Sequence, residues 1–329
     1  MSKTKVRIIG TGSYLPKKIL NNYDLEKIVD TSDEWITTRT GIKERRIAKE
    51  NEATSDLAYY AAVKAIKEAK INPEKIDLLI VATITPDMLF PATACIVQQK
   101  LGAKNAFAFD LSAACCGFIY ALSIACTYLK SETYHTALVI AAEVTSKFVD
   151  WQDRSTCVLF GDGAGAAVLK TSPEGYNNFL SFYLSSDGRY SDLLKLPAGG
   201  SRIPASTESI RERLHFIKMS GNEVFKLAVH SMIEAAEKAL ERCGLTYKDV
   251  QLLIPHQANL RIINAIAKRL ELPAEKIFLN VHKYGNMSAA STAVGLDEAI
   301  REGKIKPGGI IELVAFGSGF TSAACVIRW

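Results

Sequence analysis

Leu57–Ile80 (LAYYAAVKAIKEAKINPEKIDLLI) and Ser231–Ile254 (SMIEAAEKALERCGLTYKDVQLLI) align without a gap at an offset of 174 residues. Ala61, Ala62, Lys64 and Ala65 fall on Ala235, Ala236, Lys238 and Ala239, and Leu78, Leu79 and Ile80 fall on Leu252, Leu253 and Ile254. Each stretch reads as an amphipathic helix, a short polar turn and a buried strand. Ala166–Lys170 likewise resembles Ala324–Arg328. Self-similarity at half the chain length reads as duplication and not as a short-period solenoid. Apolar strand patterns at Leu78–Thr83, Ala137–Ala142, Leu252–Ile254 and Ile310–Ala315 alternate with helical ones, so the fold class is α/β. Turn residues cluster at Thr171–Gly175. The join is therefore expected there, between an N-terminal half, 1–172, and a C-terminal half, 173–329.

Composition narrows the function classes. The chain has 329 residues, 48% of them hydrophobic, enough to fill substantial cores. The net charge of +5 comes from dispersed residues without interleaved aromatics, which excludes a nucleic-acid stripe but suits an acidic protein partner. Seven cysteines include no Cys-x-x-Cys, and there is no His-Glu-x-x-His, so no zinc site is expected. Cys95, Cys126, Cys157, Cys243 and Cys325 lie in apolar runs and read as small core residues. A reduced, cytoplasmic setting fits, and Met1–Lys5 runs into a strand pattern without a signal-peptide core. Leu111–Leu129 carries no charge, but its polar atoms and flanking amphipathic segments favour a buried central helix over a membrane span.

Three polar stations stand at exits of apolar runs. Cys115 lies in Asp110-Leu111-Ser112-Ala113-Ala114-Cys115-Cys116-Gly117-Phe118, where a strand pattern meets a helix pattern. A helix N-terminus there would favour thiolate. His256 lies in Pro255-His256-Gln257-Ala258-Asn259, and Asn286 in Tyr284-Gly285-Asn286-Met287-Ser288. Taken singly, these would be a core cysteine, a satisfied core histidine and a turn asparagine. Together they make thioester chemistry the better reading, since a thiol can attack while an imidazole and an amide donate to an oxyanion. The offset of 174 sets His256 against Ala82, so equivalent strand ends carry chemistry in only one copy. Two halves meeting face to face would bring these ends to one cleft. The clusters Gly10-Thr11-Gly12 and Gly161-Asp162-Gly163-Ala164-Gly165 lack a third glycine before a helix or a Lys-Ser/Thr, and read as structural.

These stations occur with Ile8–Pro16, Thr31–Ile36, Thr38–Ile42, Phe160–Gly165, Gly221–Lys226 and the Arg328-Trp329 end. Over essentially its whole length the chain resembles the β-ketoacyl-acyl-carrier-protein synthase III family, condensing enzymes that start type II fatty acid synthesis. The resemblance implies a duplicated five-layer thiolase-like fold (α-β-α-β-α) and a homodimer. It implies that Cys115, the first of the Cys115–Cys116 pair, takes an acyl group from acyl-CoA, and that malonyl-acyl-carrier protein then condenses with loss of carbon dioxide. His256 and Asn286 would bind the thioester oxygen, and backbone N–H groups of Cys115 and Ser318 the oxyanion. Many members have glycine where this chain has Ser318. Trp35 would stack on the adenine of coenzyme A, with Arg39 and Arg154 near its ring or phosphates. Asn259 would line the tunnel, and Phe90 would reach the partner's acyl pocket. The family docks its carrier on the helix after His256, where Arg261, Lys268 and Arg269 share a face at helical spacing. Coenzyme A thioester is a substrate, and neither metal nor bound redox cofactor is implied. A transferase without condensation, a polyketide or alkylquinolone condensing enzyme, and a non-catalytic acyl-binding scaffold stand as alternatives.

Overall fold

The computed structural model describes residues 4–172 and 178–329. The first three residues and much of the expected join, from Pro173 to Gly175, lie outside the described residues. Nine strands build two main sheets: β1 Lys5–Tyr14, β2 Leu78–Ala82, β3 Phe107–Leu111, β4 Thr136–Glu143, β5 Gly163–Ser172, β6 Phe179–Ser186, β7 Val250–Pro255, β8 Ile310–Gly317 and β9 Thr321–Arg328. The first sheet runs in the order β1-β5-β4-β2-β3, with β2 parallel to both β3 and β4 and β5 antiparallel to both β4 and β1. The second runs β6-β9-β8-β7 with the same relative directions. A parallel bridge from Leu253 to Ile277 stands where the first sheet has β3.

Seven helices complete the frame: α1 Asp33–Thr40, α2 Thr54–Ala69, α3 Thr93–Leu101, α4 Gly117–Lys130, α5 Gly221–Arg242, α6 Leu260–Arg269 and α7 Ala290–Arg301. α2 and α3 cover the outer face of the first sheet, α5 that of the second with α6 against it, and α4 and α7 lie between the sheets. These are the five layers α-β-α-β-α. Every residue of β2 and β4 is buried, as parallel strands covered on both faces require. The central core joins Leu78, Ile80 and Val139 to Phe118 and Leu122 of α4, and to Leu313 and Ile327 of the second sheet.

The glycine pair of β1 is a packing device. A Cβ on Gly10 or Gly12 would fall 2.5 or 2.6 Å from the carbonyl oxygens of Ala65 or Ala61, so α2 rests directly on the strand. The uncharged stretch from Leu111 divides: Leu111 ends β3 and the helix begins only at Gly117. Among the described residues no helix is long and apolar enough to cross a membrane. Two cysteines depart from the core reading. Cys95 is exposed although its thiol donates to the Ala108 carbonyl, because β3 is the edge strand and among the described residues nothing covers α3 beyond it, and Cys243 is half-buried just past the end of α5. The two sheet units differ most between their last two parallel-then-antiparallel strands. Residues 144–162 link β4 to β5, whereas only 318–320 link β8 to β9.

Candidate active site

In α/β sheets ligands gather beyond the carboxyl ends of parallel strands. Here β2 and β4 end at Ala82 and Glu143, and β7 and β8 end at Pro255 and Gly317. The starts of α4 and α7 meet these ends. Both are preceded by a non-glycine residue in the left-handed region, Ala114 at φ 46° and Ser288 at φ 48°. A cavity of about 380 Å³ is walled by Cys115, Phe160, Leu194, Ile217, Ser288 and Ser318. A smaller one of about 90 Å³, bordered by Cys115, Phe225, His256, Asn259, Asn286 and Gly317, adjoins it and shares Cys115, Phe160 and Leu194.

Cys115 is 6% exposed, and its thiol donates to the Ser288 hydroxyl at 3.6 Å. Burial pushes the thiol up to about 12; the Ser288 bond opposes this and the nearby Glu143 carboxylate reinforces it. This corrects the expectation of a resting thiolate. Cys115 sits in a single 3-10 turn, Ala114–Cys116, before α4, and desolvation outweighs the helix terminus. Cys116 is fully buried and borders neither cavity.

His256 is 1% exposed, and neither ring nitrogen has a hydrogen-bond partner among the described residues. Burial pushes it down to about 3, so the ring is neutral. A neutral buried imidazole with an unspent N–H is suited to an incoming oxygen. Gln257 stiffens the turn behind it: its amide donates to the Pro255 and Phe278 carbonyls, and its oxygen accepts from the N–H groups of Asn280 and Val281.

The Asn286 side-chain oxygen accepts from the Ser288 N–H at 2.8 Å. A backbone N–H can only donate, so this contact identifies the oxygen and leaves the NH₂ on the other branch. Backbone bonds from Asn286 N to Leu159 O and from Gly161 N to Asn286 O, at 2.8 and 3.0 Å, clamp the segment to the Phe160–Gly165 motif. At Gly317 a Cβ would fall 2.6 Å from the Cys115 nitrogen, so only glycine lets the β8 end reach the thiol's backbone. The Ser318 hydroxyl donates to the Leu194 carbonyl.

Further out, the guanidinium carbons of Arg39 and Arg154 lie 4.7 and 5.1 Å from the Trp35 ring centroid. Arg154 also donates to the Asp30 carbonyl at 2.9 Å. Asn259 borders the smaller cavity while its oxygen caps α6, accepting from the Arg261 N–H at 2.8 Å. Arg261, Lys268 and Arg269 are exposed opposite the buried Ile262, Ile263 and Ile266. Phe90 is 84% exposed beside Leu89 and Met88, and does not border its own chain's cavity.

Residues 109–188 match the family of 3-oxoacyl-[acyl-carrier-protein] synthase III, and residues 240–329 match its C-terminal family. A β-ketoacyl-[acyl-carrier-protein] synthase III of Caldanaerobacter subterraneus is 59% identical over 99% of this chain and 98% of the relative. One of Clostridioides difficile is 57% identical over 99% of both. The crystal structure of the Aquifex aeolicus 3-oxoacyl-[acyl-carrier-protein] synthase III, 53% identical, covers 99% of this chain and 100% of its own with a TM-score of 0.90. The chain belongs to the β-ketoacyl-acyl-carrier-protein synthase III family.

Sequence reasoning passed over several residues of this synthase's site. Glu143 is fully buried under the Cys115 turn, one residue beyond the expected strand Ala137–Ala142. A carboxylate closing a wholly apolar strand was the available signal, since acids are rarely buried without a purpose. Leu194, Leu196 and Ile217 line the larger cavity through a small hairpin, Leu194–Lys195 with Lys218–Met219. Arg213 anchors this region to the 144–162 segment through a bidentate pair with Asp150, whose carboxyl that contact holds down to about 2. No periodicity in 188–219 gives the conformation of that wall.

Proposed function

We propose that this synthase loads an acyl group from acyl-CoA onto Cys115 and then condenses it with malonyl-acyl-carrier protein, releasing carbon dioxide and a 3-ketoacyl-carrier protein. The observation that supports this best is that Cys115, His256 and Asn286, from three separate segments, border one cavity. The Cys115 sulfur attacks the thioester carbonyl, and N–H groups of Cys115 and Ser318 hold the tetrahedral oxyanion. Coenzyme A leaves. His256 and the Asn286 NH₂ then donate to the malonyl thioester oxygen as decarboxylation turns it into an enolate, whose carbon attacks the acyl-enzyme. Decarboxylation supplies the carbanion, so the scheme calls on no metal or bound redox cofactor.

Trp35, Arg39 and Arg154 take the adenine and phosphates of coenzyme A in this reading, and Asn259 lines the pantetheine path. Arg261, Lys268 and Arg269 receive the acidic carrier. The exposed Met88–Phe90 cluster is the contact by which two copies form a homodimer, Phe90 reaching the partner's acyl cavity. The halves 1–172 and 173–329 are duplicates, and the enzyme works in the cytoplasm. A second reading has the same chemistry priming a polyketide: the priming β-ketosynthase of the R1128 polyketide pathway is 36% identical with a TM-score of 0.92.

Intact-mass measurement after incubation with a panel of acyl-CoAs tests the proposal. One acyl group should map to Cys115, and malonyl-carrier protein should discharge it as ketoacyl product with one carbon dioxide. A chain that acquires no acyl mass from any donor would sink it; the preferred acyl group separates the two readings.

A further inference from the structure

If Cys115 is the nucleophile, its proton must leave as sulfur attacks. The thiol is buried, and His256 is a poor receiver. Its ring is desolvated, makes no contact with a carboxylate, and takes up a second proton only near pH 3. The thiol's own hydrogen bond points elsewhere, to Ser288 Oγ. The Ser288 hydroxyl in turn acts on the Glu143 carboxyl, pulling it down as a neighbouring donor does.

Glu143 has no obvious structural reason to be an acid. It closes β4, is fully buried, and has neither lysine nor arginine as an ion-pair partner among the described residues. Donors from one turn converge on it: the Thr83 hydroxyl at 3.2 Å, the Ile84 N–H at 3.1 Å and the Thr85 hydroxyl at 2.8 Å. Thr85 Oγ1 also accepts from the Val144 N–H, and the Thr85 N–H donates to Thr83 Oγ1, so the cradle is itself fixed. The groups acting on the carboxylate are thus Thr83, Ile84 and Thr85 after β2, Ser288 before α7 and the Cys115 thiol before α4; of these only Cys115 titrates.

We propose that Glu143 is the acceptor of the Cys115 proton during acyl loading, acting through the Ser288 hydroxyl as a positioning and proton-holding residue that does not touch substrate. The S–H bond breaks and its proton passes to Ser288 Oγ, while the Ser288 proton passes to a Glu143 carboxylate oxygen. The sulfur forms its bond to the acyl carbon, and the C–S bond to coenzyme A breaks. The departing thiolate recovers the proton by the reverse path, so Glu143 ends ionised and the sum is acyl-CoA plus thiol giving acyl-enzyme plus coenzyme A.

The opposing forces on Glu143 fit this duty. Burial raises its carboxyl to about 7, against the lowering pull of the Thr85, Ile84, Ser288 and Thr83 bonds. Near neutral pH it is therefore available as carboxylate yet basic enough to hold a proton, and far more basic than His256. Loading should rise with pH through about 7 in the native enzyme.

The test measures single-turnover acetyl loading from acetyl-CoA, and the rate of Cys115 alkylation by iodoacetamide, from pH 5.5 to 9. Glu143→Gln should slow loading about 10²-fold at pH 7.5 and erase the rise near neutrality. Ser288→Ala should do the same while keeping the backbone N–H that orients Asn286 and the Thr83–Thr85 bonds to Glu143. Because both act on one relay, the double variant should be no slower than the slower single one. A Glu143→Gln profile parallel to that of the native enzyme, or a Ser288→Ala rate close to native, would overturn the relay. Absence of any Cys115 acylation in the native protein would instead overturn the nucleophile assignment on which it rests.

Discussion

Positions 174 apart in the two sheet units share a backbone and differ in chemistry. Ala114 and Ser288 are one such pair, and both hold a left-handed φ before a helix facing the central cleft. Cys115 corresponds to Ala289, Ala82 to His256, and Glu143 to Gly317. Each strand end meets the opposite unit's helix start: Gly317 lies against the Cys115 backbone, and the Glu143 carboxyl feels the Ser288 hydroxyl. Where the first unit needs Ala82 small, because a Cβ on Gly117 would come within 3.0 Å of it, the second unit has the imidazole. A pseudo-twofold frame thus builds one site by filling equivalent places with unlike side chains.

The harshest way to break this asymmetry is at the thiol. Cys115→Ala makes the first helix start like Ala289 in the second, and should abolish both acyl loading and condensation. Cys116→Ala should keep loading, since its side chain borders neither cavity. Peptide mapping after brief alkylation should find Cys115 modified first; preferential labelling of Cys116 would reverse the assignment.

Gly317 sharpens the comparison from the other side. Gly317→Ala sets a methyl 2.6 Å from the Cys115 nitrogen and must displace the proposed oxyanion donor. Loading and condensation should both fall, by about 10²–10³-fold. Rates within twofold of native would show that the close approach does not serve the oxyanion.

His256→Ala restores the residue of the first unit. It and Asn286→Ala should slow decarboxylative condensation about 10²–10³-fold and loading much less. Radiolabelled acetyl transfer beside carbon dioxide release separates the half-reactions, and equal losses in both would assign these groups to the thiol.

Glu143 and Gly317 also differ in pH response. The folded Glu143 carboxyl is raised from 4.5 to about 7, so the native state holds its proton more tightly than the unfolded chain. Its contribution is complete below about 4.5 and is lost as pH climbs to about 7, amounting to about 3 kcal/mol. Urea titrations at pH 4.5 and 8 should show Glu143→Gln losing less stability over that interval than the native protein. An identical loss in both would place the carboxyl elsewhere on the pH scale.

The outer helices give the smallest contrast. In the first unit Lys100 of α3 pairs with Asp56 at 2.6 Å, whereas Arg261, Lys268 and Arg269 of α6 have no carboxylate partner among the described residues. Arg261→Glu should raise the KM for malonyl-carrier protein several-fold and leave coenzyme A loading unchanged. Salt should erode the difference, because exposed charges are screened over about 8–10 Å. An unaltered carrier KM at low salt would remove this face from docking.

By itself the sequence determined the alternation of buried strands with helices, the correspondence of Leu57–Ile80 with Ser231–Ile254, and the three stations, because period and residue type are local properties of a chain. It also marked Gly10 and Gly12 as structural. Tertiary structure alone decided that Cys115 is a resting thiol, since desolvation depends on what surrounds a group and not on its neighbours in sequence. It likewise placed Glu143 beneath Ser288, positions 145 residues apart in the chain. The exposure of Cys95 and the conformation of the cavity wall from 188–219 were illegible for the same reason: burial and shape belong to the packed assembly of layers, and no single segment encodes which of its faces another segment will cover.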